Sequence, residues 1–309
     1  MKYLALAAVL AVGMSGIAVG QTISADGTSV TNDSATAQSR LATRAQRLQV
    51  RPLNWDETRG TGLRTEAPEV IVPGVLPGQA SGSTAGGRPS LNADIEAQRT
   101  FSQDWQGMRS GATVENLDGA TNLGNPGALG TQDIFSQYCE NCGALHMQWP
   151  MRAVGKLFSN SGSCSASVVS PNNIIVTAAH CCYNRSNSSW VYGWEFAPAY
   201  RDGFAPYGMF NWRRAQIVPR WISHGDRQSD VCVIQLANNS ANRPVTFYTG
   251  WLGRSWNWPT TQVHHSIGYP GNIGGGNKQE LCVSESFNPS SGCGGTSVLN
   301  TGCSMTYGA

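Results

Sequence analysis

All nine cysteines of this 309-residue chain lie after residue 138: Cys139, Cys142, Cys164, Cys181, Cys182, Cys232, Cys282, Cys293 and Cys303. Large aromatic side chains divide the same way. Residues 21–135 hold only Trp55, Phe101, Trp105 and Phe135, whereas 136–309 hold 22 Phe, Trp and Tyr residues. A stretch so poor in large apolar groups buries too little surface to offset the conformational entropy lost on ordering. The chain therefore reads as a largely unstructured pro-segment or low-complexity spacer, 21–135, followed by one folded domain, 136–309. Residues 73–78 and 81–89 have linker composition, while 35–48 and 92–105 can form helices. Limited proteolysis is expected to remove 21–135 and to leave a resistant core starting near residues 136–153.

Residues 1–20 read as an export signal. Lys2 supplies a positive start, residues 4–12 form a short apolar core, and Ala18-Val19-Gly20 offers the small residues of a cleavage site before Gln21. The alternative, an N-terminal membrane anchor, fits the short apolar run less well, and the lack of a Cys after it argues against a lipid anchor. Export predicts a secreted or periplasmic protein in an oxidising compartment, where cysteines pair. An odd number of them leaves a thiol over or a partner missing. Cys139 and Cys142 with His146 fall short of a closed zinc site, so a disulfide is the better reading. No metal and no cofactor are expected. A net charge of +2 gives no reason to expect a nucleic-acid partner, and no apolar run after residue 20 is long enough to span a bilayer. A monomer is expected.

Only 13% of residues are charged and 36 are glycine, a composition that suits a β-rich exported protein. From residue 150 the pattern is one of short strands, expected at 153–158, 163–169, 174–178, 190–196, 215–218, 231–236, 263–269 and 280–286. Gly, Pro and Asn turns separate them, and no long segment has a 3.6-residue period. The fold class is all-β, an antiparallel sandwich or barrel.

The chemistry concentrates where the third of these strands ends, at Thr177-Ala178-Ala179-His180-Cys181. A lone His at a strand end is usually an ordinary hydrogen-bonded residue. Here Cys181 follows at once and Cys164 sits on the preceding strand, so a bridge between them could pin the loop that carries the imidazole. A general base needs such fixing to stay within reach of the proton it takes. Together with Val154-Gly155-Lys156-Leu157 and Cys164-Ser165-Ala166-Ser167-Val168-Val169, this segment resembles the trypsin-like serine endopeptidases, in the V8-like or glutamyl-endopeptidase-like branch. The resemblance covers about residues 150–309. It implies a chymotrypsin-like double antiparallel β-barrel, a His-Asp-Ser triad, and protein or peptide substrates.

The triad's acid would be an Asp entering a buried strand. After residue 136 the aspartates are Asp202, Asp226 and Asp230. Asp230 opens Asp230-Val231-Cys232-Val233-Ile234-Gln235-Leu236, which is similar to the family's motif, whereas Asp226 in His224-Gly225-Asp226-Arg227 reads as a solvated turn residue. The chain ends in Cys303-Ser304-Met305-Thr306-Tyr307-Gly308-Ala309. In the family, Cys-x-Met-Thr-x-Gly leads into a small residue and then Ser-Gly-Gly-Pro. The resemblance thus implies that Gly308 lines the oxyanion hole and that the serine would directly follow Ala309. On that reading the second barrel is incomplete and this chain, as an isolated fragment of a precursor or zymogen, is inactive.

Other candidates weigh less. Cys293 in Gly292-Cys293-Gly294-Gly295 faintly resembles the nucleophile turn of chymotrypsin-fold cysteine proteases, but Ser291 stands where a Gly belongs, and pairing of Cys293 with Cys303 across a short loop is the expectation. Ser297 and Ser304 lack a nucleophile's glycine context. Residues 271–276 are Gly-rich but open no helix, so they form a loop and not a phosphate cradle. His264 and His265, adjacent on a strand, face opposite ways and make a poor metal pair. Trp251, Trp256 and Trp258 read as packing residues better than as a carbohydrate platform. The rival function is a non-catalytic trypsin-like fold acting as a binding or adhesive protein, which would have no need of both His180 and Asp230.

Overall fold

The structure, a computed structural model, describes residues 20–33, 39–54, 58, 80–110, 135–139, 145–225, 227–256, 262–287, 300–301, 303 and 305. The N-terminal stretch contributes strands β1 (Gln21–Ile23), β2 (Ser29–Asn32) and β3 (Gly82–Thr84), and β4 (Phe135–Cys139) follows. Next come β5 (Val154–Phe158), β6 (Ser163–Ser170) and β7 (Ile174–Thr177). A small hairpin, β8 (Tyr183–Asn184) with β9 (Ser189–Trp190), leads to β10 (Glu195–Pro198), β11 (Phe210–Ile217) and β12 (Cys232–Leu236). The remaining strands are β13 (Arg254–Trp256), β14 (Gln262–Gly268), β15 (Glu280–Phe287) and β16 (Asn300–Thr301).

Strands β11, β10, β5, β6, β7 and β12 pair antiparallel in that order, and β12 pairs back onto β11, closing a six-stranded barrel. Closure removes the exposed edges that an open sheet would present. The pattern along each strand shows which face is inside. On β12, Cys232, Ile234 and Leu236 are buried while Val233 and Gln235 face out. On β11 the alternation carries Phe210 and Trp212, then skips at a bulge between Trp212 and Arg214 before Ala215 and Ile217 resume the inward face. The extra residue lets Arg213 and Arg214 both point outward without breaking the ladder. Inside, Trp194 and Trp212 meet edge to face with centroids 4.8 Å apart, and Tyr248 packs against Phe210 from the short helix Val245–Thr249.

The second sheet runs β14, β15, β16, with β4 also paired to β15, and among the described residues it stays open. One closed barrel beside a second antiparallel sheet, open among the described residues, fits the expected all-β, chymotrypsin-like class. Two differences in the strands have local causes. The expected strand 190–196 is interrupted, because Gly193 turns at φ 71°, leaving β9 and β10 as separate pieces. β11 starts at Phe210, five residues earlier than expected, since the bulge masks the period-2 signal.

The N-terminal stretch is not uniform. β1 and β2 extend the barrel sheet beyond β11, β3 pairs with β13, and the helices Arg44–Leu48, Ala93–Thr100 and Ser102–Ser110 pack on the same body. Its composition points to loose attachment, yet Val30, Leu53 and Ala97 are at most 1% exposed. These side chains need no core of their own, because they complete one that the aromatic-rich domain provides. No helix among the described residues is long and apolar enough to cross a membrane.

Candidate active site

The antiparallel pairing of β7 with β12 builds the site. Cys232 lies opposite Thr177, so the residue three beyond Thr177 and the residue two before Cys232 emerge at the same end of the barrel. Those residues are His180 and Asp230. After β7 the chain stays extended at Ala178 and then forms a single 3₁₀ turn, Ala179–Cys181, which presents the imidazole. On the other side a 3₁₀ turn, Arg227–Ser229, ends in the Asp230 N–H donating to the Arg227 carbonyl at 3.3 Å.

The two residues meet through both carboxylate oxygens. Asp230 Oδ1 accepts the backbone N–H of His180 at 2.8 Å, and Oδ2 lies 2.8 Å from His180 Nδ1. A carboxylate only accepts, so Nδ1 carries the proton and Nε2 is the acceptor nitrogen of the neutral ring. The side chains are 16% and 14% exposed, shielded enough for the pair to be strong and open enough for a substrate to reach the ring.

Two disulfides brace this turn from opposite sides. Cys181 is bonded to Cys164 on β6, with Cα atoms 6.4 Å apart, and Cys182 is bonded to Cys232 on β12, at 6.5 Å. The second bond ties the residue two past His180 to the residue two past Asp230. It was not foreseen in the sequence, although adjacent cysteines after the His and a cysteine two past the Asp were its signal. The buried Trp194 adds a third brace, donating from Nε1 to the Cys181 carbonyl at 3.1 Å. Cys164, His180 and Cys181 place potential metal-ligand atoms within 4.8 Å of one another, but both sulfurs are consumed in a disulfide, which leaves no thiolate to bind an ion.

Elsewhere the expectations meet mixed outcomes. Cys303 is bonded to Cys282 on β15, not to Cys293, because the second sheet brings Cys282 to it. Cys293, Asp226, Cys142, Trp258 and Gly308 lie outside the described residues. Of Cys139 only the strand backbone, in β4, is described. His265 is exposed and His264 half-buried, as alternation along β14 requires.

The family model for trypsin matches residues 143–281, which holds the whole closed barrel and both residues of the pair. This part of the chain resembles the trypsin family. Within it, the chain is similar to the glutamyl endopeptidase of Bacillus licheniformis, at 28% identity over 146 residues. That alignment covers 45% of this chain and 44% of the relative, so the chain spans less than half the relative's length. Among solved structures, a thermostable serine protease, AL20, from an extremophilic microorganism is 25% identical, with a TM-score of 0.46 over 51% of this chain and 75% of that one. The protease Anisep from Arthrobacter nicotinovorans is 24% identical, with a TM-score of 0.42 over 47% and 68%. The family match and the relative together support a resemblance to the V8-like, trypsin-like serine peptidases.

Proposed function

We propose that this chain carries the base and acid of an exported serine endopeptidase acting on proteins or peptides. In the complete protein a serine hydroxyl attacks the peptide carbonyl, His180 Nε2 takes its proton and returns it to the leaving amine, and Asp230 holds the ring in that tautomer. The backbone N–H of Gly308 would then help stabilise the oxyanion. The observation that carries the reading is the double hydrogen bond from His180 to Asp230, 2.8 Å at each point. Three disulfides among the described residues support an oxidising compartment, secreted or periplasmic.

A serine-directed fluorophosphonate tests it. The 309-residue chain should not be labelled, and the chain extended by Ser-Gly-Gly-Pro and the remainder of the second barrel should be labelled at that serine and cleave a peptide substrate. Labelling that survives His180→Ala unchanged, or an extended protein that binds peptides without cleaving them, would favour the non-catalytic alternative.

A further inference from the structure

Glu195 stands on β10, on the face opposite the core residues Trp194 and Phe196, and is 1% exposed. A carboxylate at that depth needs partners that satisfy its charge. Among the described residues, its partners come from the N-terminal stretch. The Ser39 hydroxyl donates to Oε2, the Arg40 backbone N–H donates to Oε1 at 3.0 Å, and the Arg40 guanidinium lies 3.1 Å from Oε1. The same guanidinium donates twice to the Gly193 carbonyl, at 3.1 and 2.7 Å.

Arg152, in the turn just before β5, repeats the arrangement with the charges reversed. It is 5% exposed, and its guanidinium pairs with Asp94, on the helix Ala93–Thr100, and with the hydroxyl of Tyr207. From that helix Glu96 also takes a two-pronged bond from Arg243, at 2.8 and 2.9 Å. Apolar contacts accompany these polar anchors: β2 pairs with β11 and buries Val30 fully, and Trp105 meets Tyr207 edge to face at 5.7 Å. Without the N-terminal pieces, Glu195 and Arg152 would lose these partners and the cover they provide.

We propose that the domain carries a socket with two charged anchors, Glu195 for the Ser39-Arg40 turn and Arg152 for Asp94, which retains residues 20–54 and 80–110 as a bound subunit after the connecting stretches are cut. The attachment is noncovalent, because no cysteine precedes residue 139. It does not depend on the peptidase reading, since the socket is built from burial and pairing alone. The N-terminal stretch is then a permanent part of the folded protein and not a segment lost on processing.

The test inserts a site-specific protease sequence after Gly62 and another after Gly119 in the full chain. Cutting is confirmed on a denaturing gel without reductant, and the cut protein is passed through gel filtration in native buffer. The two N-terminal fragments should elute with the 120–309 fragment and separate from it only in denaturant. N-terminal fragments that elute apart would overturn the proposal. Arg40→Ala and Asp94→Asn then probe the anchors. Both side chains are partly exposed and lie on the guest fragments, so the barrel itself is untouched. Each should weaken retention of its own fragment about tenfold or more, the scale of a lost charge-assisted hydrogen bond. Retention of both fragments at the unsubstituted level in both variants would sink the assignment of Glu195 and Arg152 as anchors.

Discussion

Asp230 holds His180 at two points, one oxygen on the backbone N–H and the other on the ring Nδ1, both at 2.8 Å. The first bond sets where the turn sits, and the second sets which nitrogen of the ring carries the proton. Position and protonation state are thus decided by one carboxylate, and a substitution can separate them.

Asp230→Asn makes that separation. The amide keeps an oxygen for the His180 N–H but turns an NH₂ toward Nδ1, which must then accept, leaving Nε2 protonated and unable to take a proton from serine. In the serine-completed protein, kcat should fall by about four orders of magnitude, the loss known for this change in a serine-protease triad, while the fold persists. Asp226→Asn should change kcat little. Steady-state kinetics on the two variants decide the matter, and the opposite ranking would mean that Asp226 is the acid.

The two disulfides at the turn should differ in their contribution to stability. Cys182–Cys232 closes a separation of 50 residues and Cys164–Cys181 one of 17. By chain entropy the longer loop stabilises by about 4 kcal/mol and the shorter by about 3 kcal/mol. Replacing each pair by serine should therefore lower the urea unfolding free energy more for Cys182 and Cys232 than for Cys164 and Cys181. The first pair should also reduce kcat in the serine-completed protein, since it links the segments bearing His180 and Asp230. Equal activity with and without that bond would show that the carboxylate alone keeps the geometry.

How much of this was legible in the sequence follows from distance along the chain. His180 could be singled out because its strand, its turn and Cys181 are contiguous. Asp230 was legible because the apolar strand it opens is contiguous too. The fold class could be read from short strands broken by Gly, Pro and Asn. Cys182–Cys232 was marked only indirectly: the two cysteines sit two past His180 and two past Asp230, a relation that becomes visible only once those residues are taken as a pair across a 50-residue separation. The docking of the N-terminal stretch was hidden for a different physical reason. Composition measures whether a segment can build a core, and Val30, Ala93 and Ala97 build none. They fill places in a core made by others, and the charges that fix them, Arg40 to Glu195 and Asp94 to Arg152, lie more than fifty residues apart in sequence.

A further buried ionisable group predicts how stability varies with pH. Lys156 on β5 has no exposed surface; its Nζ donates to Asn277 Oδ1 at 3.1 Å and lies over the rings of Tyr200 and Phe158, 4.9 and 5.3 Å from their centroids. Burial lowers its pKa from 10.5 to about 7, against the smaller opposing pull of Asp202. Between those two values the unfolded chain holds a proton that the folded one has shed, so unfolding takes up protons and stability rises with pH. Below about pH 7 both states are protonated and the full cost of the buried charge is present. From pH 7 to 9 the contribution of Lys156 should be a gain on the order of 2 kcal/mol. Above about pH 10 the trend should reverse, because burial raises the hydroxyl pKa values of Tyr200, Tyr207 and Tyr269, and the unfolded tyrosines then ionise first. Urea unfolding at pH 7, 8 and 9 measures the slope, and Lys156→Met, which keeps most of the volume without the titrating group, should flatten it. A Lys156→Met variant with the same rise between pH 7 and 9 as the unsubstituted chain would place the titration on some other group.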